Sequence, residues 1–175
     1  MHNSSIGPII RFRIATTSDI ITAARMVFES YAPYIPILGK IPPTLFEDFG
    51  SHIDHGNLWL MEYGNVAVGM VVLTPQADHM LLQSMCVMPG YQGLGFGRKL
   101  LEFANSRSRS MGMSSIRLYT NSLMERNLRI YTAAGYAETS VTAYDWGFRV
   151  HMEKALVRRS ASKKPRLKHM SNAFC

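Results

Sequence analysis

The residues best suited to chemistry lie in a glycine-rich stretch, Gln92-Gly93-Leu94-Gly95-Phe96-Gly97-Arg98. An apolar run from Met85 to Val87 precedes it and a helical pattern follows it, which predicts a strand, a tight turn and a helix. Glycine has no Cβ, so a ligand can approach the backbone closely. The first N–H groups of a helix lack internal partners and carry the positive end of its dipole. Such a turn is suited to bind a phosphate or a pyrophosphate.

Three kinds of phosphate-binding turn differ in their spacing. A nucleoside-triphosphate P-loop ends in Gly-Lys-Ser/Thr, whereas this stretch continues as Gly97-Arg98-Lys99-Leu100. A dinucleotide-binding turn has Gly-x-Gly-x-x-Gly, whereas the spacing here is Gly-x-Gly-x-Gly, with no ribose-binding acid evident downstream. The pattern from Gln92 to Gly97 resembles the Gln/Arg-x-x-Gly-x-Gly/Ala loop of the GNAT-superfamily N-acetyltransferases, which holds the pyrophosphate of acetyl-coenzyme A. A glycine-rich turn that merely joins a strand to a helix is the alternative.

The resemblance covers roughly residues 9–156 and is strongest between Met80 and Tyr136. In that interval the matching motifs follow one another at family spacing: Leu-Leu-x-Ser-Met-Cys-Val-x-Pro, the glycine loop, Leu118-Tyr119-Thr120-Asn121, Asn127, Tyr131 and Gly135-Tyr136. The resemblance implies an α/β (α+β) fold. Its mixed central sheet has about six to seven strands with a splayed centre, flanked by about four helices.

The resemblance also implies a site for acetyl-coenzyme A without a metal ion. Backbone N–H groups from Gln92 through Arg98 are expected to hold the pyrophosphate. Backbone groups of Met85 and Val87 are expected to pair with the amides of the pantetheine arm, and Asn127 to lie against that arm. The Tyr131 hydroxyl is expected near the thioester sulfur, as the catalytic group.

Asn127 and Tyr131 are four residues apart in a predicted helix, so they share one face. A tyrosine hydroxyl can protonate a thiolate or donate a hydrogen bond to it. Because a thiol is more acidic than a phenol, the hydrogen bond is the more favourable contribution. The alternative for Tyr131 is a core aromatic residue with a satisfied hydroxyl.

The group that accepts the proton from the acceptor amine is left open. Relatives often have Glu where Gln83 stands, and an amide cannot accept a proton at neutral pH. His79 shares a strand face with Gln83 by the period of two. The further candidates are Glu29, His52, His55 and Asp145. Cys86 has no histidine beside it in sequence, which argues against a covalent mechanism.

Two functions follow from these residues. The first is an N-acetyltransferase that moves an acetyl group from acetyl-coenzyme A to a primary amine by direct attack in a ternary complex. The alternative is a non-catalytic acyl-coenzyme A-binding or sensor module of the same fold. Three classes of acceptor are compatible with the sequence: a small-molecule amine, a peptide N-terminus and a lysine side chain. The sequence does not determine the oligomeric state, and a homodimer is one possibility.

The pattern of apolar and capping residues predicts the elements that position this site. We expect strands at 9–16, 57–63, 66–74, 79–87, 115–120, 136–142 and 148–156. We expect helices at 17–28, 44–53, 98–111 and 122–134, with an irregular proline-rich segment at 31–43. Capping boxes are predicted at Thr44-x-x-Glu47 and Ser122-x-x-Glu125.

Composition indicates one globular domain, residues 1–156, followed by a basic tail. The chain has 175 residues, of which 47% are hydrophobic and 18% charged. Its net charge is +7, but six basic and no acidic residues lie in 157–175, so the rest carries about +1. We expect this tail to be flexible and nucleic acid to bind at most weakly through it. Two cysteines and no apparent signal or spanning segment predict a cytoplasmic protein without membrane association.

Overall fold

The structure, a computed structural model, describes residues 8–145 and 147–156. The strands are β1 Ile10–Ile14, β2 Leu58–Tyr63, β3 Val66–Pro75, β4 Met80–Val87, β5 Ser115–Asn121, β6 Ala137–Tyr144 and β7 Gly147–Ala155. The helices are α1 Ile20–Tyr31, α2 Ile35–Leu38, α3 Phe49–Asp54, α4 Phe96–Ser110 and α5 Glu125–Ala133. The order of strands and longer helices is the predicted one.

Seven strands form one mixed sheet in the order β1-β2-β3-β4-β5-β7-β6. Neighbours are antiparallel except β4 and β5, which are parallel. Helices α1 and α3 pack on one face of the sheet and α4 on the other, so the apolar residues of the central strands form two cores. This architecture confirms the predicted fold class.

The two parallel strands separate after a short contact, as the predicted splayed centre requires. Met80 pairs with Ile116 and Leu81 with Arg117, and no further pair joins the strands although β4 continues to Val87. On its other edge, β4 has a bulge: Ser84 pairs with Val72 and Leu82 with Leu73, so Gln83 is the extra residue. A bulge redirects a side chain and ends regular pairing. The sheet therefore opens beside Gln83.

Close packing of α4 on the sheet sets the position of the glycine loop. A Cβ added to Gly69 in β3 would lie 2.9 Å from the Cys86 carbonyl oxygen and 3.1 Å from Leu100 Cδ1. Only glycine allows this approach of strand and helix. The N-terminus of α4 consequently lies at the end of β4.

The capping box predicted at Thr44 is wrong. Residues Pro43–Phe46 form a single 3-10 turn, Glu47 is extended, and α3 begins only at Phe49. The N-cap is Asp48, whose carboxylate accepts a hydrogen bond from the Ser51 N–H at 3.1 Å. Asp is a better N-cap than Thr, so the helix starts later than predicted. Glu47 is therefore not a capping residue of α3.

The capping box at Ser122 is wrong as well, because α5 begins at Glu125. The Asn121 side chain accepts a hydrogen bond from the Leu123 N–H at 2.8 Å, which turns the chain before the helix.

The segment predicted to be irregular contains short helical turns, Ala32–Tyr34 and Ile35–Leu38, with prolines in their first turns. Proline is tolerated there because those N–H groups have no helical partner.

Buried side chains mark the packed face of each longer helix. In α1, Ala23, Met26 and Val27 are buried, whereas Phe28 is exposed. In α4, Leu100 and Leu101 are buried.

Some predictions fall on residues whose structure is not described. The basic tail at 157–175 and Trp146, in the predicted turn between the last two strands, lie outside the described residues. Within the described ranges, no helix is long and apolar enough to cross a membrane.

Candidate active site

A cavity of about 880 Å³, the first cavity, lies where the end of β4 meets the glycine loop, α1 and α5. Its lining includes most residues that the sequence assigned to the cofactor or to catalysis: Met85, Val87, Gln92, Gly93, Gly95, Gly97, Arg98, Asn127 and Tyr131. Two assigned residues are not part of the lining. Leu94 is exposed, and the Phe96 ring is buried against Tyr63 and Tyr91. Those two can reach a ligand in the cavity only through their backbone.

The glycine loop presents the N-terminus of α4 to the first cavity. Gly93 and Gly95 have φ values of 80° and 84°, a conformation that disfavours any residue with a Cβ. The Lys99 N–H donates to the Gly95 carbonyl at 3.2 Å, the first bond of the helix. The N–H groups of residues 96–98 precede this bond and stand at the positive end of the helix dipole.

Gly97 has no conformational need to be glycine, because its φ is not positive. A Cβ added there would meet no protein atom within 4 Å, and the residue lines the first cavity. The missing side chain therefore leaves room beside the helix N-terminus. A diphosphate fits this combination of open space and free N–H groups.

Cationic and orphaned polar groups complete the lining of the first cavity. Arg98, Arg126 and Lys154 contribute positive charge, and Arg98 is paired with Glu102 at 2.9 Å. Asn105 is buried, and its Oδ1 has no hydrogen-bond partner among the described residues. A buried acceptor without a donor favours a ligand that supplies one.

The side chain of Gln92 ties the loop to the sheet. Its Nε2 donates to the Val87 carbonyl at 2.9 Å, and Ser30 Oγ donates to the same carbonyl at 3.2 Å. Its Oε1 accepts from Arg126 at 3.0 Å. The Val87 carbonyl, which the sequence assigned to the cofactor, is thus already bonded within the protein.

A second cavity, of about 480 Å³, is lined by residues of β4, β5 and the segment that precedes α3. Five residues line both cavities: Tyr31, Met85, Met124, Asn127 and Tyr131. The two spaces therefore meet at these residues. A donor group held in one cavity and an acceptor held in the other would come together beside Tyr131.

Tyr131 is buried in α5, and its ring packs edge-on against Tyr136 with 5.9 Å between centroids. Burial raises the pKa of its hydroxyl to about 12. At neutral pH the group therefore keeps its proton and can donate a hydrogen bond.

Cys86 also borders the first cavity and is buried. Burial raises the pKa of its thiol to about 12. Because the thiolate is the nucleophilic form, this cysteine is a poor nucleophile at neutral pH.

A polar cluster of three residues, Glu47, His52 and Gln83, forms one wall of the second cavity. Gln83 Nε2 donates to Glu47 Oε1 at 2.9 Å, and His52 Nε2 lies 3.0 Å from the same oxygen. Glu47 Oε2 is buried and has no hydrogen-bond partner among the residues described. Sequence analysis missed Glu47, since its spacing from Thr44 suggested a helix cap.

The other candidates for the proton acceptor lie elsewhere. His79 contacts the exposed Asp78 carboxylate at 2.6 Å, and His55 contacts the Ser51 carbonyl at 2.7 Å. Neither lines a cavity, nor does Asp145. Glu29 lines the first cavity only. Of the residues that sequence analysis considered, His52 and Gln83 are brought together.

Arg149 supplies a cation to the second cavity. Its guanidinium lies over the rings of Tyr119 and Tyr144, 4.4 and 4.8 Å from their centroids. Within the described ranges it forms no ion pair with a carboxylate. Stacking fixes the plane of the guanidinium and leaves its N–H edge available for an anion.

The sequence model of the acetyltransferase (GNAT) family matches residues 24–136. This interval contains the glycine loop, β4, β5 and α5, which supply most of the lining of both cavities, whereas Tyr144, Arg149 and Lys154 lie outside it. The chain belongs to the acetyltransferase (GNAT) family. The predicted family is thereby confirmed.

Individual relatives of this GNAT chain are distant. N-acetyltransferase 8F1 of Rattus norvegicus is 26% identical over 91 residues, which are 49% of this chain and 41% of that protein. The match thus spans about two fifths of the length of the curated relative.

Solved structures share the GNAT fold at low identity. PaiA N-acetyltransferase from Thermoplasma acidophilum in complex with coenzyme A has a TM-score of 0.71 and 18% identity over 84% of this chain and 99% of that chain. Arabidopsis thaliana Naa50, in complex with the bisubstrate analogue CoA-Ac-MVNAL, has a TM-score of 0.65 and 14% identity over 83% and 97% of the two chains.

Among residues 8–145 and 147–156, no group of three or more His, Cys, Asp or Glu side chains is placed to hold a metal ion.

Proposed function

We propose that this GNAT protein is an N-acetyltransferase that moves an acetyl group from acetyl-coenzyme A to a primary amine by direct attack in a ternary complex. The observation that carries the proposal is that two cavities meet at Tyr131. One has the features of a diphosphate site, and the other has acidic and basic side chains in its wall. Neither feature alone would distinguish a transferase from a binding protein.

The first cavity is proposed to hold acetyl-coenzyme A, which supplies an acetyl group activated as a thioester. The N–H groups of residues 96–98 would bind the diphosphate in the room left by Gly97. Arg98 and Arg126 would add charge. Met85, Asn127 and the edge of β4 would align the pantetheine arm, since the strand has no partner there after Leu81.

Tyr131 is proposed to stabilise the departing thiolate through a hydrogen bond from its hydroxyl. With a pKa of about 12, the hydroxyl is far less acidic than a thiol, so donation of a hydrogen bond is favoured over full proton transfer. A donor preorganised in a buried site stabilises developing charge better than water does.

The position of Arg149 favours one class of acceptor. A fixed guanidinium edge in the second cavity favours an amine that also carries a carboxylate or another anionic group. A first acceptor panel should therefore pair each carboxylate-bearing amine with its carboxylate-free analogue of the same length. Peptide N-termini and lysine side chains belong in the same panel.

The second candidate is a non-catalytic acyl-coenzyme A-binding module. Gln83 favours it, because this position on β4 carries no carboxylate. The two functions differ in turnover: a binding module would be stabilised by acetyl-coenzyme A but would release no thiol with any amine in the panel.

The test is release of free coenzyme A thiol from acetyl-coenzyme A in the presence of the acceptor panel, with Tyr131→Phe beside the wild type. We expect kcat to fall by about 100-fold in this variant, as for loss of one oxyanion-hole donor. Affinity for acetyl-coenzyme A, measured by calorimetry, should be kept.

Tyr136→Phe is the matched control for this substitution. Tyr136 packs against Tyr131 but lines neither cavity, and its buried hydroxyl has no partner within the described residues. Its loss should leave turnover unchanged. Equal turnover in wild type and Tyr131→Phe would remove Tyr131 from the mechanism.

A further inference from the structure

The bulge in β4 aims an amide, not a carboxylate, into the second cavity. Gln83 is the extra residue of that bulge, so its side chain leaves the regular alternation of the strand. An amide can donate and accept hydrogen bonds but cannot take up a proton at neutral pH. Attack by an amine releases one proton for every amide formed, so another group must accept it.

A carboxylate from a different element reaches this position. Glu47 lies in the extended residues between the 3-10 turn at Pro43–Phe46 and α3, and its carboxylate touches the Gln83 amide. Its side chain is only 9% exposed, yet it lines the second cavity. The chain thus brings a carboxylate to the wall of the cavity from outside the sheet.

The hydrogen bonds of the polar cluster fix which oxygen is available. Thr74 Oγ1 donates to Gln83 Oε1 at 3.2 Å, so the Gln83 amide is oriented with its NH₂ group towards Glu47. That NH₂ group and His52 Nε2 both contact Glu47 Oε1. Both contacts to the Glu47 carboxylate therefore fall on Oε1 and hold the group in place.

The second oxygen, Glu47 Oε2, is buried without a partner among the described residues. An unsatisfied buried acceptor destabilises the folded protein, and more so when it is charged. Burial without a donor is costly when the cavity is empty, and this cost falls when a ligand donates to the oxygen. A protonated or neutral amine is such a donor.

We propose that Glu47 accepts the proton of the attacking amine through Oε2, with Gln83 and His52 as positioning residues. This inference rests on the proposed function. The amine nitrogen bonds to the acetyl carbon, and the carbon–sulfur bond breaks with its electron pair going to sulfur. One proton passes from nitrogen to Glu47 Oε2 and from there to water, while the Tyr131 hydroxyl donates a hydrogen bond to the thiolate. The thiolate then takes up a proton from water, so the products are the acetylated amine and coenzyme A in its thiol form.

The test is a charge swap within the polar cluster. Glu47→Gln keeps the size of the side chain and an acceptor for Gln83 and His52, but removes the proton acceptor. We expect kcat to fall by about 100-fold or more, in the range of general-base catalysis, with affinity for acetyl-coenzyme A unchanged. The double variant Glu47→Gln/Gln83→Glu returns a carboxylate to the same place. Its kcat should be at least about tenfold higher than that of Glu47→Gln.

Asp54→Asn is the matched control. Asp54 is an exposed acid at the end of α3 and lines neither cavity. This variant should keep turnover within about threefold, well below the loss expected for a general base. Melting temperatures of all variants, with and without acetyl-coenzyme A, show whether each is folded.

The outcomes separate the inference from the function on which it rests. If the wild type turns over and Glu47→Gln retains its kcat, Glu47 is not the proton acceptor and the function stands. An active wild type with an inactive, folded Glu47→Gln that the swap does not rescue would assign Glu47 a positional role instead. If the wild type binds acetyl-coenzyme A and acetylates nothing, both proposals fail.

Discussion

The hydrogen-bond partners of a carboxylate decide whether it stabilises the fold or can bind a ligand, as Glu47 and Asp19 show. Glu47 has one oxygen without a hydrogen bond among the described residues, whereas both oxygens of Asp19 are fully used. Arg13 donates to the two Asp19 oxygens at 2.7 and 2.9 Å, and the Thr16 N–H donates at 2.8 Å. Asp19 thereby joins β1 to α1, while Glu47 is left available for a ligand.

Asp19→Asn should destabilise the fold in a pH-dependent way. Hydrogen bonds from the Arg13 guanidinium hold the pKa of the Asp19 carboxyl well below its usual range. Loss of the charge should lower the free energy of unfolding at pH 7 by about 1.5–3 kcal/mol, as for hydrogen bonds to charged groups. Urea unfolding of wild type and variant at several pH values measures this difference.

The sign of the pH dependence follows from the lowered pKa. The carboxylate contributes its full stability above the pKa of the unfolded chain, about 3.9, and loses it as the pH falls towards the folded-state value. The difference between wild type and Asp19→Asn should therefore shrink in acid. Asp78→Asn, at an exposed ion pair with His79 and Arg117, should show little change at any pH. A constant difference down to low pH would contradict the role of the Arg13 contact.

At the scale of elements, the junction of β4, the glycine loop and α4 combines three local features. The strand loses its parallel partner after Leu81, the loop turns through two glycines with positive φ, and the helix starts at the cavity wall. Gly97 is the residue at which binding and stability can be separated, since its backbone conformation suits alanine.

Gly97→Ala should weaken binding without weakening the fold. The added Cβ meets no protein atom and removes a flexible residue from a helix, so the free energy of unfolding should stay the same or rise by up to about 1 kcal/mol. The same Cβ occupies the room proposed for the diphosphate. Overpacking costs about 1–3 kcal/mol, so the Kd for acetyl-coenzyme A should rise roughly tenfold or more. Calorimetry and thermal unfolding measure the two effects.

Gly90→Ala is the matched control for that variant. Gly90 also has open space around it and no positive φ, but it does not line the first cavity. The affinity of the Gly90→Ala variant for acetyl-coenzyme A should match that of the wild type. Unchanged affinity in Gly97→Ala would exclude the diphosphate from the N-terminus of α4.

For the whole molecule, the relation of the two cavities predicts the kinetic pattern. Because they share five lining residues and meet at Tyr131, both substrates can be bound together. Double-reciprocal plots of initial rate at several acceptor concentrations should give intersecting lines. Parallel lines would indicate a covalent acetyl-protein intermediate.

Cys86 is the residue that would carry the acetyl group in a covalent mechanism. Its buried thiol, with a pKa of about 12, should remain unmodified when acetyl-coenzyme A is added without an acceptor. Intact mass spectrometry would detect an acetylated chain, and such a product would overturn direct attack.

Local patterns in the sequence predicted most of the fold. Alternating apolar residues located the strands, and the glycine loop was recognised from residues within seven positions of each other. Errors occurred at helix starts: Asp48 rather than Thr44 caps α3, and the chain turns at Asn121 so that α5 begins only at Glu125. The choice between neighbouring caps depends on about tenths of a kcal/mol, which spacing alone does not resolve.

The sequence by itself determined the family, the order of strands, and the loop suited to a diphosphate, because each depends on residues close together in the chain. Only the tertiary structure decided which acidic residue of the second cavity contacts Gln83. Glu47 and Gln83 are 36 positions apart. The side chain of Gln83 contacts Glu47 because a bulge in β4 redirects it. Glu47 is available for this contact because it lies in extended backbone before α3 and not in the helix. Packing of the loop against the open centre of the sheet creates that contact, and no local pattern encodes it.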